Sequence, residues 1–383
     1  MNAHLLTLES LPAAIAQLAA APVLAIDTEF HTEGRFAPEL LLVQVHIPGG
    51  DTWLIDPLVP GLLAALGPAM LGGSTWLVHA GFQDLRLLST ALGGVANTVL
   101  DTQIAAGLLG TWYPVGLADL CERWLGRRPQ KSATMSDWSR RPLTAEQVAY
   151  AAEDVVELPE LWAAIAADAE QRGRMPAVFA ACAEARDGAL APADPGERWR
   201  EIAMGGDPDR AEAAVMCALV EWRDDQARRA DRPANFILGD GTLRQLARAR
   251  PTHVEQIAAN RRISPKTVDR YGRAILQVIA AALASDPTTW PDPVRRGARE
   301  ARVADMLELA TTVRGHAESF ATRLVLPRRL AESLARNPSH TAPLLGVWRD
   351  ALIGDLVRDV LDGRGALVIL DGELGFDLHF RRS

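Results

Sequence analysis

The sequence predicts a mixed α/β domain followed by two small all-α units, on three observations. Strand-like and helix-like runs alternate through about the first 170 residues, two proline-rich breaks divide the rest of the chain, and the segments between those breaks carry helical patterning without β-rich runs. With 383 residues and 48% apolar content the chain can bury sizeable cores, so two or three domains are expected.

In order, residues 11–22 form an Ala-rich amphipathic helix, too short to span a bilayer. Residues 23–30, 40–47 and 52–56 are β-rich and joined by short turns, the second containing Pro48-Gly49-Gly50, which predicts an antiparallel meander. A helix over 60–71, a strand over 75–79, a helix after Gln83, a strand over 95–100 and a helix from Asp101 then read as parallel βαβ crossovers beside that meander. Residues 144–167 are strong helix formers throughout. Thr144 followed three residues later by Gln147 gives them a capping box. Residues 186–208 read as loop and mark the first boundary. Helices over 211–230, 243–249, 253–260 and 264–283, with a turn at 233–241, form a small α unit, and a second proline-rich break at 286–293 precedes a final helical region.

Charge and cysteine content narrow the function. The net charge of −8 excludes a simple nucleic-acid coat protein, yet residues 209–273 carry thirteen basic against nine acidic side chains, so that stretch is +4 and the remainder −12. Lys131 and Lys266 are the only lysines, a bias of composition rather than of function. Cys121, Cys182 and Cys217 are too dispersed for a disulfide framework or zinc ribbon, no His-Glu-x-x-His spacing occurs, and no basic leader precedes an apolar run. These features predict a cytoplasmic protein with no zinc and no membrane span.

The chemistry begins at Asp27-Thr28-Glu29, which closes the apolar run Val23-Leu24-Ala25-Ile26. Residues two apart on a strand share a face, so both carboxylates project together, and a divalent cation is the usual relief for such a pair. Asp84 comes after the apolar run 76–79, across a small-residue turn. Tyr150 and Asp154, four apart on the capped helix, share one face. Asp101 reads as an N-cap, Asp137 as a loop-ordering residue and His79 as a hydrogen-bonded structural histidine.

With these residues in place, the chain resembles the ribonuclease D family of the DEDD superfamily of 3′-to-5′ exonucleases. The resemblance runs through Asp27-Thr28-Glu29-Phe30, with Phe36, Pro38, Leu40 and Gln44; through His79-Ala80-Gly81-Phe82-Gln83-Asp84-Leu85 and Asp101-Thr102-Gln103; and through Lys131-Ser132, Ser136-Asp137-Trp138 and Tyr150-Ala151-Ala152-Glu153-Asp154. Ala149 stands where the histidine subclass has its histidine and Tyr150 where the tyrosine subclass has its tyrosine, so the resemblance is to the latter. Downstream, Trp222-Arg223, Pro233, Leu246, Pro251 and Tyr271-Gly272 resemble the helicase-and-RNase-D C-terminal (HRDC) domain, and residues 346–354 resemble a diverged second copy.

The resemblance implies a ribonuclease H-like exonuclease domain over 1–190, a first HRDC domain over 208–287 and a second, diverged HRDC-like domain over 297–383. It also implies two divalent ions, Mg or Mn, held by Asp27, Glu29, Asp84 and Asp154. Asp27 would bridge both, Glu29 and Asp154 would complete the nucleophile side, and Asp84 would support the other. Tyr150 would orient the attacking water, since a phenol of pKa about 10 is a poor base at neutral pH. The implied reaction is 3′-to-5′ exoribonuclease hydrolysis releasing 5′-mononucleotides, with tRNA precursors and other structured RNAs as substrates and a monomer as the default state.

For substrate contacts each residue has two readings. Lys131 meets a phosphate or is a solvated loop lysine, and Phe30 stacks on the terminal base or packs in the core. Arg140 and Arg141 grip the RNA backbone, or Arg141 braces the helix start. Arg261, Arg262, Lys266, Arg270 and Arg273 carry the RNA body or form a solvated face. Two rival functions remain: a DEDD exonuclease acting on DNA, separable by rates on matched RNA and DNA, and a catalytically silent RNA-binding protein of the same fold, against which all five filled active-site positions argue.

Overall fold

The computed structural model describes residues 3–129, 137–192, 195–203, 208–292, 297–364, 366–370 and 373–377. The chain divides into two compact units. The first comprises residues 1–30, 40–191 and 298–383, and the second residues 31–39 and 192–297.

The first unit is built on a six-stranded sheet. Its strands are β1 (Ala3–Leu5), β2 (Val23–His31), β3 (Glu39–His46), β4 (Thr52–Ile55), β5 (Thr75–Val78) and β6 (Val99–Asp101), in the order β1-β4-β3-β2-β5-β6. β3 and β4 are antiparallel, while β1 runs parallel to β4, and β2, β5 and β6 run parallel to one another. The mixed sheet was legible; β1 was not, and β6 is shorter than the expected 95–100.

Strand parity sorts the two faces. Leu24 and Ile26 point to the side covered by α1 (Leu11–Ala20), α2 (Leu62–Leu71) and α3 (Phe82–Leu92). Ala25, Leu77 and Leu100 face the other way and pack with Val155 and Leu158. The next helices are α4 (Thr102–Gly107), α5 (Leu117–Leu125), α6 (Ala145–Val156), α7 (Leu158–Gln171) and α8 (Met175–Leu190). The single helix expected over 144–167 is two, broken at Glu157. Pro159, in the first turn of α7, has no N–H to continue the ladder.

The second unit contains α9 (Pro195–Ala203), α10 (Arg210–Ala230), α11 (Ala234–Ile237), α12 (Asp240–Ala249), α13 (Val254–Ala258) and α14 (Pro265–Ala284). The expected loop over 186–208 therefore contains the end of α8 and all of α9. Trp199 and Ile202 of α9 are buried beside Leu219, Leu243 and Ile275, and that burial outweighs the breaker-rich composition. Residues 31–39 join this unit through Arg35 and the Phe36 amide, both bonded to Asp231.

Residues 298–383 contribute α15 (Ala298–Glu318), α16 (Thr322–Val325), α17 (Arg328–Arg336), α18 (Thr341–Leu361) and an antiparallel pair, β7 (Ala366–Leu370) and β8 (Glu373–Asp377), that the expected helical region did not include. The expectation set 297–383 apart as a body of its own. The packing instead places these helices in the first unit, where Leu307, Phe320, Val325, Leu345 and Ile353 share one core with Ile104, Leu120, Leu161 and Val178. The Arg349 guanidinium, itself buried, donates to Glu184 of α8 at 2.5 and 2.8 Å, and Trp348 Nε1 donates to the same carboxylate at 3.0 Å. Among the described residues no helix is long and apolar enough to cross a membrane.

Candidate active site

Parity carries straight into the site. Because Ala25 faces α6 and α7, Asp27 and Glu29, two and four residues on, continue toward α6. That helix starts as its sequence demanded. The Gln147 amide donates to Thr144 Oγ1 at 3.2 Å and the Thr144 amide to Gln147 Oε1 at 2.9 Å. Asp154 stands near its C-terminal end. Oxygens of Asp27, Glu29 and Asp154 lie within 4.8 Å of one another, close enough to ligate one cation.

Asp84 reaches the cluster from the other layer. Thr28, of opposite parity to its neighbours, donates its hydroxyl to Asp84 Oδ1 in a buried hydrogen bond. The turn before α3 is braced by Asp101, whose carboxylate accepts from the amides of Ala80 and Gly81 at 3.0 Å each and from those of Gln103 and Ile104 at 2.8 and 3.4 Å. Asp101 thus is the N-cap the sequence suggested, and the same carboxylate also fixes the segment that delivers Asp84. Ala80 adopts a left-handed φ of 54°. A Cβ on Gly81 would meet Val78 Cγ2 at 2.5 Å and Val78 Cβ at 2.7 Å, so any side chain there forces the segment to shift. His79 Nδ1 lies 2.9 Å from Thr102 Oγ1, a structural contact.

The electrostatics are those of crowded, partly buried carboxylates. Burial first, then the charges of Asp84, Asp154 and Glu29, raises Asp27 well above the usual carboxylate range. Burial, Asp154 and Asp84 push Glu29 up to about 8. Burial also raises Asp84, against the lowering effect of the Thr28 hydroxyl. No basic side chain is among the leading influences on any of the three, so the set fits a hard divalent cation, which takes oxygen donors. Tyr150 is raised by burial and by the charges of Asp154 and Glu29, and it shares a hydrogen bond with Asp154. Its ring packs 6.0 Å from that of Trp138, and its hydroxyl meets Asp154.

The remaining candidates separate. Arg141 Nε and Nη2 bond Asp56 at 2.5 and 2.9 Å, Nη2 also donates to Leu41 O, and Nη1 donates to Trp138 O and Arg140 O. All five of its N–H donors are engaged within the fold, and none is left for a phosphate. The side chain of Arg140 is 82% exposed and, among the described residues, meets only Asp137, at 3.0 Å. Asp137 accepts from the Ser139 amide and hydroxyl at 3.1 and 2.5 Å, which orders the loop. Phe30 is half-buried at the end of the acidic strand. Lys131 lies outside the described residues. Sequence reasoning missed Thr28 and Asp56, since neither pairing has a signal local in the chain.

Comparison with known proteins agrees with this geometry. The family described as 3′-5′ exonuclease matches residues 4–170, and the HRDC domain matches residues 212–279. Ribonuclease D of Acidiphilium cryptum (strain JF-5) is 33% identical, covering 94% of this chain and 93% of that protein. Ribonuclease D of Gluconacetobacter diazotrophicus is 32% identical over 96% of this chain and 94% of its own length. Among solved structures, Escherichia coli RNase D, described as an exoribonuclease involved in structured RNA processing, aligns with a TM-score of 0.83 at 25% identity, covering 95% of this chain and 99% of that one.

Proposed function

The chain belongs to the ribonuclease D family of 3′-5′ exoribonucleases, and on that footing we propose that it trims structured RNAs, tRNA precursors among them, by two-metal hydrolysis that releases 5′-mononucleotides. The observation that carries this reading is the convergence of Asp27, Glu29 and Asp154 within 4.8 Å, with Asp84 close enough to raise the first two. Asp27, Glu29 and Asp154 would hold one Mg or Mn ion, and Asp27 with Asp84 a second. When bound, such ions acidify the attacking water and stabilise the leaving 3′ oxygen. Tyr150, its pKa raised, stays protonated at neutral pH and acts by orienting that water through its hydroxyl. Arg140, largely exposed, would meet the RNA backbone. On the second unit, Arg261, Arg262, Lys266, Arg270 and Arg273 are all exposed, and none takes part in an ion pair among the described residues. This supports their carrying the RNA body.

The test is hydrolysis of 5′-labelled RNA and of DNA of matched sequence with Mg²⁺, with and without EDTA, beside an Asp27→Asn variant. The expected outcome is stepwise shortening of RNA with release of 5′-mononucleotides, abolished by EDTA and slowed by about 10²-fold or more in the variant. Faster loss of the DNA would reassign the substrate, and a fully active Asp27→Asn protein would end the catalytic reading.

A further inference from the structure

A second cavity of the first unit has the chemistry of a nucleotide site and none of the carboxylates of the active centre. It measures about 360 Å³ and is lined by Thr111, Trp112 and Tyr113 of the loop between α4 and α5, by Thr312 and His316 of α15, and by Phe320 to Arg323 at the start of α16. That volume is within the range of small-ligand pockets.

Its composition is selective. Three aromatic rings line it, and Trp112 is 53% exposed. An indole left that open costs hydration unless something covers it. The Trp112 ring is nonetheless held in place, because the Arg123 guanidinium lies 4.0 Å from its centroid. Arg323 is exposed and, like Arg123, joins no ion pair among the described residues. Among the described residues the lining holds no acidic side chain, while Thr111, Thr322 and His316 offer hydrogen-bonding groups. A flat apolar surface beside unpaired positive charge, with no carboxylate, fits a base and its phosphate together.

The walls are also rigid. The Ala321 amide donates to Gly107 O at 2.7 Å, and Arg174 Nη1 donates to Leu108 O and Ser319 O at 2.5 and 2.7 Å. Both sides of the cavity are thereby tied together, so the site is formed before a ligand arrives.

We infer that this cavity binds a nucleoside phosphate, with the base against Trp112 and the phosphate at Arg323. The ligand is either one residue of an RNA strand or a free mononucleotide such as the reaction releases. The binding claim stands without the proposed reaction, and the test is made where hydrolysis cannot occur.

In EDTA, binding of a fluorescent 12-nucleotide single-stranded RNA by anisotropy and of 5′-AMP by calorimetry is compared for the wild-type chain, Trp112→Ala and Arg323→Glu, with circular dichroism as the control for folding. A rise in Kd of about tenfold or more in both variants is expected. Loss confined to the RNA identifies a strand subsite, and loss confined to 5′-AMP identifies a free-nucleotide site. Both variants binding both ligands as the wild type does would overturn the inference. A dinucleotide substrate with Mg²⁺ separates this from the catalytic reading, because its cleavage rate is expected to be unchanged in both variants.

Discussion

A carboxyl held at about 8 keeps a proton at neutral pH that a divalent cation must displace, and Glu29 is such a group. Its unfolded value is about 4.3, so between that value and about 8 the metal-free folded chain holds a proton that the unfolded chain has released. The Glu29 contribution to stability is therefore fully present below about pH 4.3 and is lost as pH rises through about 8. In EDTA the Tm of the wild-type chain is expected to fall from pH 6 to pH 8.5, more steeply than that of Glu29→Gln. Added Mg²⁺ should raise the wild-type Tm more at pH 8.5 than at pH 6. Parallel Tm profiles for the two proteins would show that Glu29 is not the titrating group. The neighbouring arginines make a second contrast. Arg141→Ala removes the partner of Asp56 and of three carbonyls, so a loss of about 2–3 kcal/mol in urea unfolding is expected, with the salt dependence of RNA binding unchanged. Arg140→Ala should leave stability alone and reduce the slope of log K against log salt by about 1. An exchange of these two phenotypes would reverse the assignment.

At the scale of elements, the site depends on one strand offering its two faces to two layers. Asp27 and Glu29 face α6, which carries Tyr150 and Asp154, while Thr28 turns to Asp84 of α3. Half of that was legible, because strand parity and the capping box act within a few residues. The position of Asp84 was not, since it depends on Asp101, 20 residues from Gly81 in sequence, accepting from the amides of Ala80 and Gly81. The break of 144–167 at Glu157 was legible in principle through Pro159, but the helix formers on either side masked it. β1 was not, because three residues carry too little pattern to distinguish a strand. The Asp101 turn can be tested directly. Asp101→Ala loses an N-cap and strands two further amides, so a destabilisation of about 2–4 kcal/mol is expected, together with a higher Mg²⁺ requirement for activity. Gly81→Ala should raise the Mg²⁺ requirement in the same direction, because its Cβ can be relieved only by shifting the backbone away from the β-branched Val78. Wild-type Mg²⁺ dependence in both variants would mean that the turn does not place Asp84.

Over the whole molecule, sequence order and packing part company. The resemblance of 346–354 to a second HRDC copy invites a chain of beads, but the helices of 298–361 complete the core of the first unit. Nothing local announces this, because the bonds involved join residues more than 140 apart: Arg174 to Ser319, and Glu184 to Trp348 and Arg349. The consequence can be measured. A chain ending at Asp292 would expose Ile104, Leu120, Leu161, Val178 and their neighbours, which are otherwise buried beside Leu307, Phe320 and Leu345. It is expected to aggregate or to lose cooperative unfolding, although every proposed catalytic side chain remains in it. In the full-length chain, Glu184→Ala leaves the buried Arg349 guanidinium without its carboxylate, with an expected cost of about 3 kcal/mol in urea unfolding. Glu184→Gln, which keeps an acceptor for Arg349, should cost less. If the shortened chain were monomeric and hydrolysed RNA with a Tm within a few degrees of full length, residues 298–383 would be an accessory body and the shared core incidental.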